Sequence, residues 1–149
     1  MGEICCPSTT IAVSSFEFIA TKPAMRILVV EDHQDTGQAL TRLLTNWGFD
    51  VALAETLQSG LGQLTTEAFD VILSDIALPD GTGYALVSEA RRRGIDVVAI
   101  ALSAYSYPDE VQIAKLTGFD HHLTKPYNSQ ELRSLLEGAI DRKRSATSR

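Results

Sequence analysis

Cysteine is scarce in this 149-residue chain: there are two, Cys5 and Cys6, side by side. Adjacent thiols cannot staple distant parts of a fold, so a disulfide scaffold is excluded and a reducing, cytoplasmic setting fits best. The three histidines, His33, His121 and His122, show no zinc-ligand spacing with each other or with the cysteines. No stretch approaches the roughly 20 uninterrupted apolar residues of a membrane-spanning helix. Basic charge is also short. With 13 Lys+Arg against 19 Asp+Glu the net charge is −6, which weighs against a protein held to nucleic acid through phosphates. What is present is ordinary for one globular domain, with 44% hydrophobic and 21% charged residues. Disordered, coiled-coil and collagen-like classes are excluded.

The two ends differ from the middle. Residues 1–24 mix Ser, Thr, Pro and Cys without a sustained period and lack the basic start and long apolar run of a secretory signal. Gly2 with Cys5 and Cys6 touches an acylation pattern, but Cys6 stands where myristoylation wants Ser or Thr. The stretch reads as a flexible extension, or as sequence upstream of a start at Met25. Residues 142–149 carry four of the 13 basic residues and no acid, so the rest of the chain has nine against 19, a balance of −10. This basic tail is expected to be a solvated helix end, favourably placed against the helix dipole.

From Met25 the pattern becomes regular. Ile27-Leu28-Val29-Val30 is apolar without alternation, as in a strand buried on both faces, and ends in Glu31-Asp32. Leu40, Leu43, Leu44 and Trp47 fall at helical spacing before a stop at Gly48. Val51–Ala54 reads as a strand, and Leu57, Leu61, Leu64 and Ala68 as a second helix face. Asp70–Ser74 is a third strand ending at Asp75, followed by a loop over 76–82 and a helix over Gly83–Arg93 that stops at Gly94. Val97–Ala101, a helix over Pro108–Thr117, a short strand His121–Thr124 and a last helix Asn128–Arg142 complete the series. Asn128 and Glu131 have the spacing of a helix cap and its partner.

Five strands alternating with five helices imply an α/β fold, a doubly wound parallel sheet with helices on both faces. In such sheets ligands collect at the carboxyl ends of the strands, where strand order reverses. The residues there are Glu31 and Asp32, Asp75, Ser103 and Lys125-Pro126. Three carboxylates held close repel unless a cation or proton relieves them. Hard oxygen donors suit Mg2+, which keeps several waters and leaves room for a phosphate.

Four strand-end motifs together resemble one family. They are Val-Val-Glu31-Asp32, Leu-Ser-Asp75-Ile-Ala-Leu-Pro79-Asp-Gly81-Thr-Gly83, Ala-Leu-Ser103-Ala104 and Leu-Thr-Lys125-Pro126. Over about residues 25–141 the chain is similar to the receiver domain of two-component response regulators. The resemblance implies a single flavodoxin-like (βα)5 domain with strand order 2-1-3-4-5. It implies that Asp75 is the phosphoacceptor. Glu31, Asp32 and Asp75, with the backbone carbonyl of Ala77 and waters, would hold Mg2+. Lys125 and the ion would offset charge on the transferring group, and Ser103 Oγ would hydrogen-bond the phosphoryl group. Ala104 would leave room for the substrate, and the Lys125–Pro126 bond would be cis. Such a domain is a self-phosphorylating switch with autodephosphorylation, not a conventional turnover enzyme.

The implied partners are a histidine kinase or histidine phosphotransfer protein upstream and a protein partner downstream. The latter would bind a face made by the fourth helix, fifth strand and fifth helix, with Ser103 and His122 as switch residues. No direct nucleic-acid or membrane contact is implied. The family commonly has Tyr or Phe where His122 stands; an imidazole there could respond to pH, although a half-exposed spacer is the plainer reading. Gly-Phe119-Asp-His-His-Leu-Thr-Lys-Pro is similar to receivers attached to hybrid histidine kinases. Ala77 and Tyr105 flank the site and are expected to govern water access to an acyl phosphate.

Competing classes fare worse. A haloacid-dehalogenase-like phosphohydrolase needs a second acid two residues after its aspartate, where Ala77 stands. A dinucleotide-binding domain needs a glycine-rich turn where Glu31-Asp32-His33-Gln34-Asp35 stands. A phosphorylation-independent interaction module of the same fold is the remaining alternative, and retention of the acid–hydroxyl–lysine set weighs against it.

Overall fold

The computed structural model describes residues 25–104 and 108–147; expectations for residues 1–24, Cys5, Cys6 and Tyr105 lie outside the described residues. The elements are β1 (Arg26–Val30), α1 (Gln34–Asn46), β2 (Asp50–Ala54), α2 (Leu57–Thr66), β3 (Val71–Asp75), β4 (Ala77–Leu78), β5 (Gly81–Thr82), α3 (Gly83–Arg92), β6 (Val98–Ser103), α4 (Pro108–Thr117), β7 (His121–Thr124) and α5 (Ser129–Thr147). Five strands form one parallel sheet in the order β2-β1-β3-β6-β7. Counting only the sheet's own strands, this is the order 2-1-3-4-5.

The unbroken apolar runs follow from a sheet covered on both sides. Successive side chains of a strand point to opposite faces, and in β1 both faces are core. Ile27 and Val29 pack with Leu73 and Ile100 against Leu40 and Leu44 of α1 and Leu132 and Leu136 of α5. Leu28 and Val30 pack with Ile72 against Leu64 of α2 and Leu86 and Ala90 of α3. A third cluster, Val87, Ala99, Ala101, Ala114 and Phe119, seats α4. Fully burying one such Leu or Ile contributes about 1.5–3 kcal/mol, so these layers fix where the strand ends lie. Trp47, just past α1, packs partly buried against the α1–α5 layer, and the Arg133 guanidinium of α5 lies 5.3 Å over its ring.

Several boundaries depart from the sequence reading. The loop over 76–82 contains a two-stranded antiparallel hairpin, β4–β5, pairing Ala77 with Thr82 and Leu78 with Gly81. The helix read through Ala68 ends at Thr66. Glu67 is already extended (φ −138°, ψ 156°), leaving Ala68 exposed while Phe69 turns into the core. The fourth sheet strand starts one residue later and runs on to Ser103. The last helix, read to Arg142, runs on as α5 to Thr147, because Arg and Lys are good helix formers at the favourable end of the dipole. Arg142 holds α5 to the body through Asp96 Oδ1 (3.5 Å) and Asp120 Oδ1 (3.7 Å).

Candidate functional site

β1 and β3 are neighbours, and strand order reverses between them, so their carboxyl ends share one crevice. Glu31 leaves β1 with its backbone N–H donating to Ala54 O (3.0 Å), and its side chain is fully buried. A buried carboxylate needs charged or hydrogen-bonding partners. Two arrive. Lys125 Nζ lies 3.0 Å from Glu31 Oε1, and His33 brings its ring Nδ1 to 3.2 Å and its backbone N–H to 3.3 Å of Oε2. The same ammonium donates to Asp75 Oδ2 at 3.1 Å. One lysine at the end of β7 therefore bridges the ends of β1 and β3, 94 and 50 residues away in sequence.

Asp75 closes β3 opposite Leu102 of β6 and is only 8% exposed. Its backbone is held from behind. Ser74 Oγ donates to Asp75 O (2.9 Å), and Gly83 N–H donates to Ile76 O (2.8 Å). A Cβ on residue 83 would stand 2.4 Å from Asp75 O, so α3 reaches the strand end this closely only by starting on glycine. Ser103 is buried at the end of β6, one residue beyond Leu102, and its carbonyl accepts the Lys125 N–H (2.6 Å). The Lys125–Pro126 bond is cis. Ala77 lies on β4 and Ala104 is exposed just past β6. Asp32, beside Glu31, is half-buried.

Electrostatics separate the two carboxylates. Burial pushes Glu31 up, but the hydrogen bond and charge of Lys125, with the His33 N–H, more than offset it and leave its pKa below the ordinary value. Burial and the negative charge of Glu31 hold the Asp75 carboxyl above its ordinary value, with Lys125 opposing. Burial pulls Lys125 down, yet its bond to Glu31 and the charge of Asp75 raise it overall. Lys125 therefore stays an ammonium while Asp75 ionises at a cost.

Carboxylate oxygens of Glu31, Asp32 and Asp75 and His33 Nδ1 all lie within 4.8 Å of one another. Asp32 Oδ1 is buried without a hydrogen-bond partner, with His33 Nδ1 3.4 Å away. An orphaned carboxylate oxygen beside two more carboxylates fits a hard divalent cation, which would relieve both the orphan and the repulsion on Asp75.

The structure thus brings Glu31, Asp75 and Lys125 into direct contact and seats Asp32 beside them. His122 sits apart, on β7 opposite Ala101. It is half-buried with Nε2 unbonded, and burial holds its pKa below the ordinary value while the charge of Glu110 on α4 opposes. Sequence reasoning missed His33, which carries no metal-ligand spacing but directly follows Glu31-Asp32. Ser74 and Gly83 stand in the motif around Asp75, but their roles, played on backbone atoms, are not legible in it.

The sequence profile of the response regulator receiver domain matches residues 27–137. The chain belongs to that family. It is 35% identical over 119 residues to an uncharacterized 14.6 kDa protein of Leptolyngbya boryana, covering 78% of this chain and 91% of that protein. It is 38% identical over 121 residues to the KDP operon transcriptional regulatory protein KdpE of Escherichia coli, covering 81% of this chain. There it spans only 53% of the relative's length. The crystal structure of a CheY-like receiver domain protein from Methanospirillum hungatei superposes with a TM-score of 0.78 at 26% identity, covering 83% of this chain and 98% of the other. Receiver domains of this family are signalling modules, not conventional enzymes. Among the described residues no helix is long and apolar enough to cross a membrane.

Proposed function

We propose that this receiver domain accepts a phosphoryl group on Asp75 from a phosphohistidine of a histidine kinase or histidine phosphotransfer protein in the cytoplasm. One observation carries the reading: the Lys125 ammonium is shared between Glu31 and Asp75 at 3.0 and 3.1 Å. An Asp75 oxygen attacks phosphorus, the P–N bond breaks, and the histidine ring leaves with the bonding pair and takes a proton from solvent. Lys125 meets the negative charge of the transferring group, so the rate comes from positioning and electrostatics. Ser103 Oγ hydrogen-bonds a phosphoryl oxygen, and Ala104 leaves the approach open. Glu31, Asp32, Asp75 and the Ala77 carbonyl would hold Mg2+, which when bound supplies positive charge against both the carboxylates and the phosphoryl oxygens. Water later attacks the acyl phosphate and restores Asp75.

Phosphorylation adds about −1.5 to −2 charges at the rim. Ser103 then draws toward the phosphoryl group, and His122 turns inward beneath α4, reshaping the face of α4, β7 and α5 for a protein partner. A coupling of about 1–3 kcal/mol gives 5–150-fold switching. The working unit is residues 25–141, preceded by an extension over 1–24 and followed by the basic end of α5 from residue 142. Incubation with Mg2+ and a small acyl-phosphate donor tests the reading by intact mass. One added phosphoryl mass that disappears in Asp75→Asn supports it. An unchanged mass with every donor favours the phosphorylation-independent binding module.

A further inference from the structure

Asp80 lies at the tip of the β4–β5 hairpin, but its carboxylate bonds outside the hairpin. Oδ1 accepts the Leu57 N–H at 2.7 Å and Oδ2 accepts the Gln58 N–H at 3.0 Å. These are the first two backbone donors of α2, 23 and 22 residues away in sequence. The local cap does not serve them, since Thr56 Oγ1 accepts the Ser59 N–H instead (3.0 Å). The backbone bonds from Gln58 and Leu57 hold the Asp80 carboxyl below its ordinary pKa, so it is a full anion at the positive end of the helix dipole. The hairpin also packs there: a Cβ on Gly81 would stand 2.5 Å from Leu57 Cδ2.

This contact closes a circuit. On one side, α2 is joined by two residues to Ala54, whose carbonyl holds the backbone of Glu31. On the other, the hairpin follows Asp75 by a single residue, Ile76, whose N–H is tied to Leu102 O (3.2 Å). Besides the Lys125 bridge, the ends of β1 and β3 are therefore linked by backbone along two routes: through their own ladder, and around the outside through α2, Asp80 and the hairpin. Only the second route passes through Ala77.

We infer that Asp80 is a positioning residue that braces the acid cluster, clamping the hairpin tip to α2 so that the Ala77 backbone is held in place relative to Glu31 and Asp75 for a divalent cation. The inference rests on the proposed metal-assisted phosphoacceptor reading and adds a residue that touches neither ion nor phosphoryl group. Groups hydrogen-bonded directly to a metal ligand typically change metal affinity by about 10–100-fold when removed, and Asp80 acts one step further out, through the hairpin backbone.

The experiment is calorimetric titration of the full chain with Mg2+, alongside phosphorylation at saturating Mg2+. Asp80→Ala is expected to weaken Mg2+ binding by about 10-fold, the low end of that range, while phosphorylation at saturating Mg2+ keeps its rate. Asp80→Asn should lose less, because an amide oxygen still accepts one N–H. Thr56→Ala is the control. It uncaps the same helix and lowers the unfolding midpoint, but leaves the hairpin tied and Mg2+ affinity at the parent value. If Asp80→Ala binds Mg2+ as tightly as the parent, or loses no more affinity than Thr56→Ala, the brace is refuted while the phosphoacceptor reading stands. If the parent itself takes up no Mg2+, that reading fails and the brace falls with it.

Discussion

The two edges of the sheet carry the same charges in different settings. At the amino edge, three acids gather around one cation. Arg26 bonds Asp50 and Glu67 through its guanidinium, its backbone N–H donates to Asp70 Oδ2 (2.9 Å), and the guanidinium lies 4.9 Å over the Phe69 ring. At the carboxyl edge, Glu31 and Asp75 share Lys125, with Asp32 beside them. The difference is water. Arg26, Asp50 and Glu67 keep 31–57% of their side-chain surface exposed, whereas Glu31 keeps none, Asp75 12% and Lys125 26%. Solvent screens the first group, and its pairs add little. The second group is dry enough that its carboxylates titrate apart and one oxygen of Asp32 has no hydrogen-bond partner. Charge count alone does not mark a site; charge withheld from water does.

Truncating the cation at each edge gives the largest contrast. Lys125→Ala leaves Asp75 facing Glu31 with no cation between them and only His33 on Glu31, and should cost about 2–3 kcal/mol in urea unfolding without metal, less than the ~3–5 kcal/mol of a fully buried pair. Part of that loss should return on adding Mg2+. Asp75→Asn should instead raise stability in metal-free buffer by about 0.5–2 kcal/mol, as removal of functional strain commonly does, and Mg2+ should then stabilise the parent far more than the variant. Arg26→Ala should cost far less than Lys125→Ala and fade in high salt, as exposed pairs do. An Arg26 loss equal to that of Lys125 would erase the distinction between the edges.

The smallest effect concerns His122. Its folded pKa lies below the ordinary 6.5 because of burial, so as pH falls the unfolded chain takes the proton first. Stability is therefore lost as pH drops from 6.5 toward the folded value. His122→Phe should flatten that slope, read from unfolding midpoints across the range.

Much of this was legible in the chain itself, for physical reasons. The runs of β1, β3 and β6 are uniformly apolar because both faces of the sheet are covered, and the stops at Gly48, Gly94 and Gly118 coincide with helix ends. Strand ends in a parallel sheet converge, so Glu31, Asp75 and Lys125 could be expected together. What escaped notice depends on tertiary contact or on segments too short for periodicity. Two-residue strands such as β4 and β5 have no period. Ser103 could be read as the residue at the end of β6, although the apolar run Val97–Ala101 stops short of it; the strand pairs on through Leu102 to Ser103. Where α5 stops beyond Arg142 is marked by no apolar stripe. His33 turns back on Glu31 through a local bend, and Asp80 caps a helix far away in sequence.

Trp47 is the chain's lone tryptophan. It is seated where the end of α1 meets α5, packed against the core layer that β1 shares with both helices. The molecule therefore carries an intrinsic fluorophore that touches neither the cation ligands nor the phosphoryl position. Its emission reports on the junction of α1 and α5, so an optical response to loading the rim would show that the change had reached that junction.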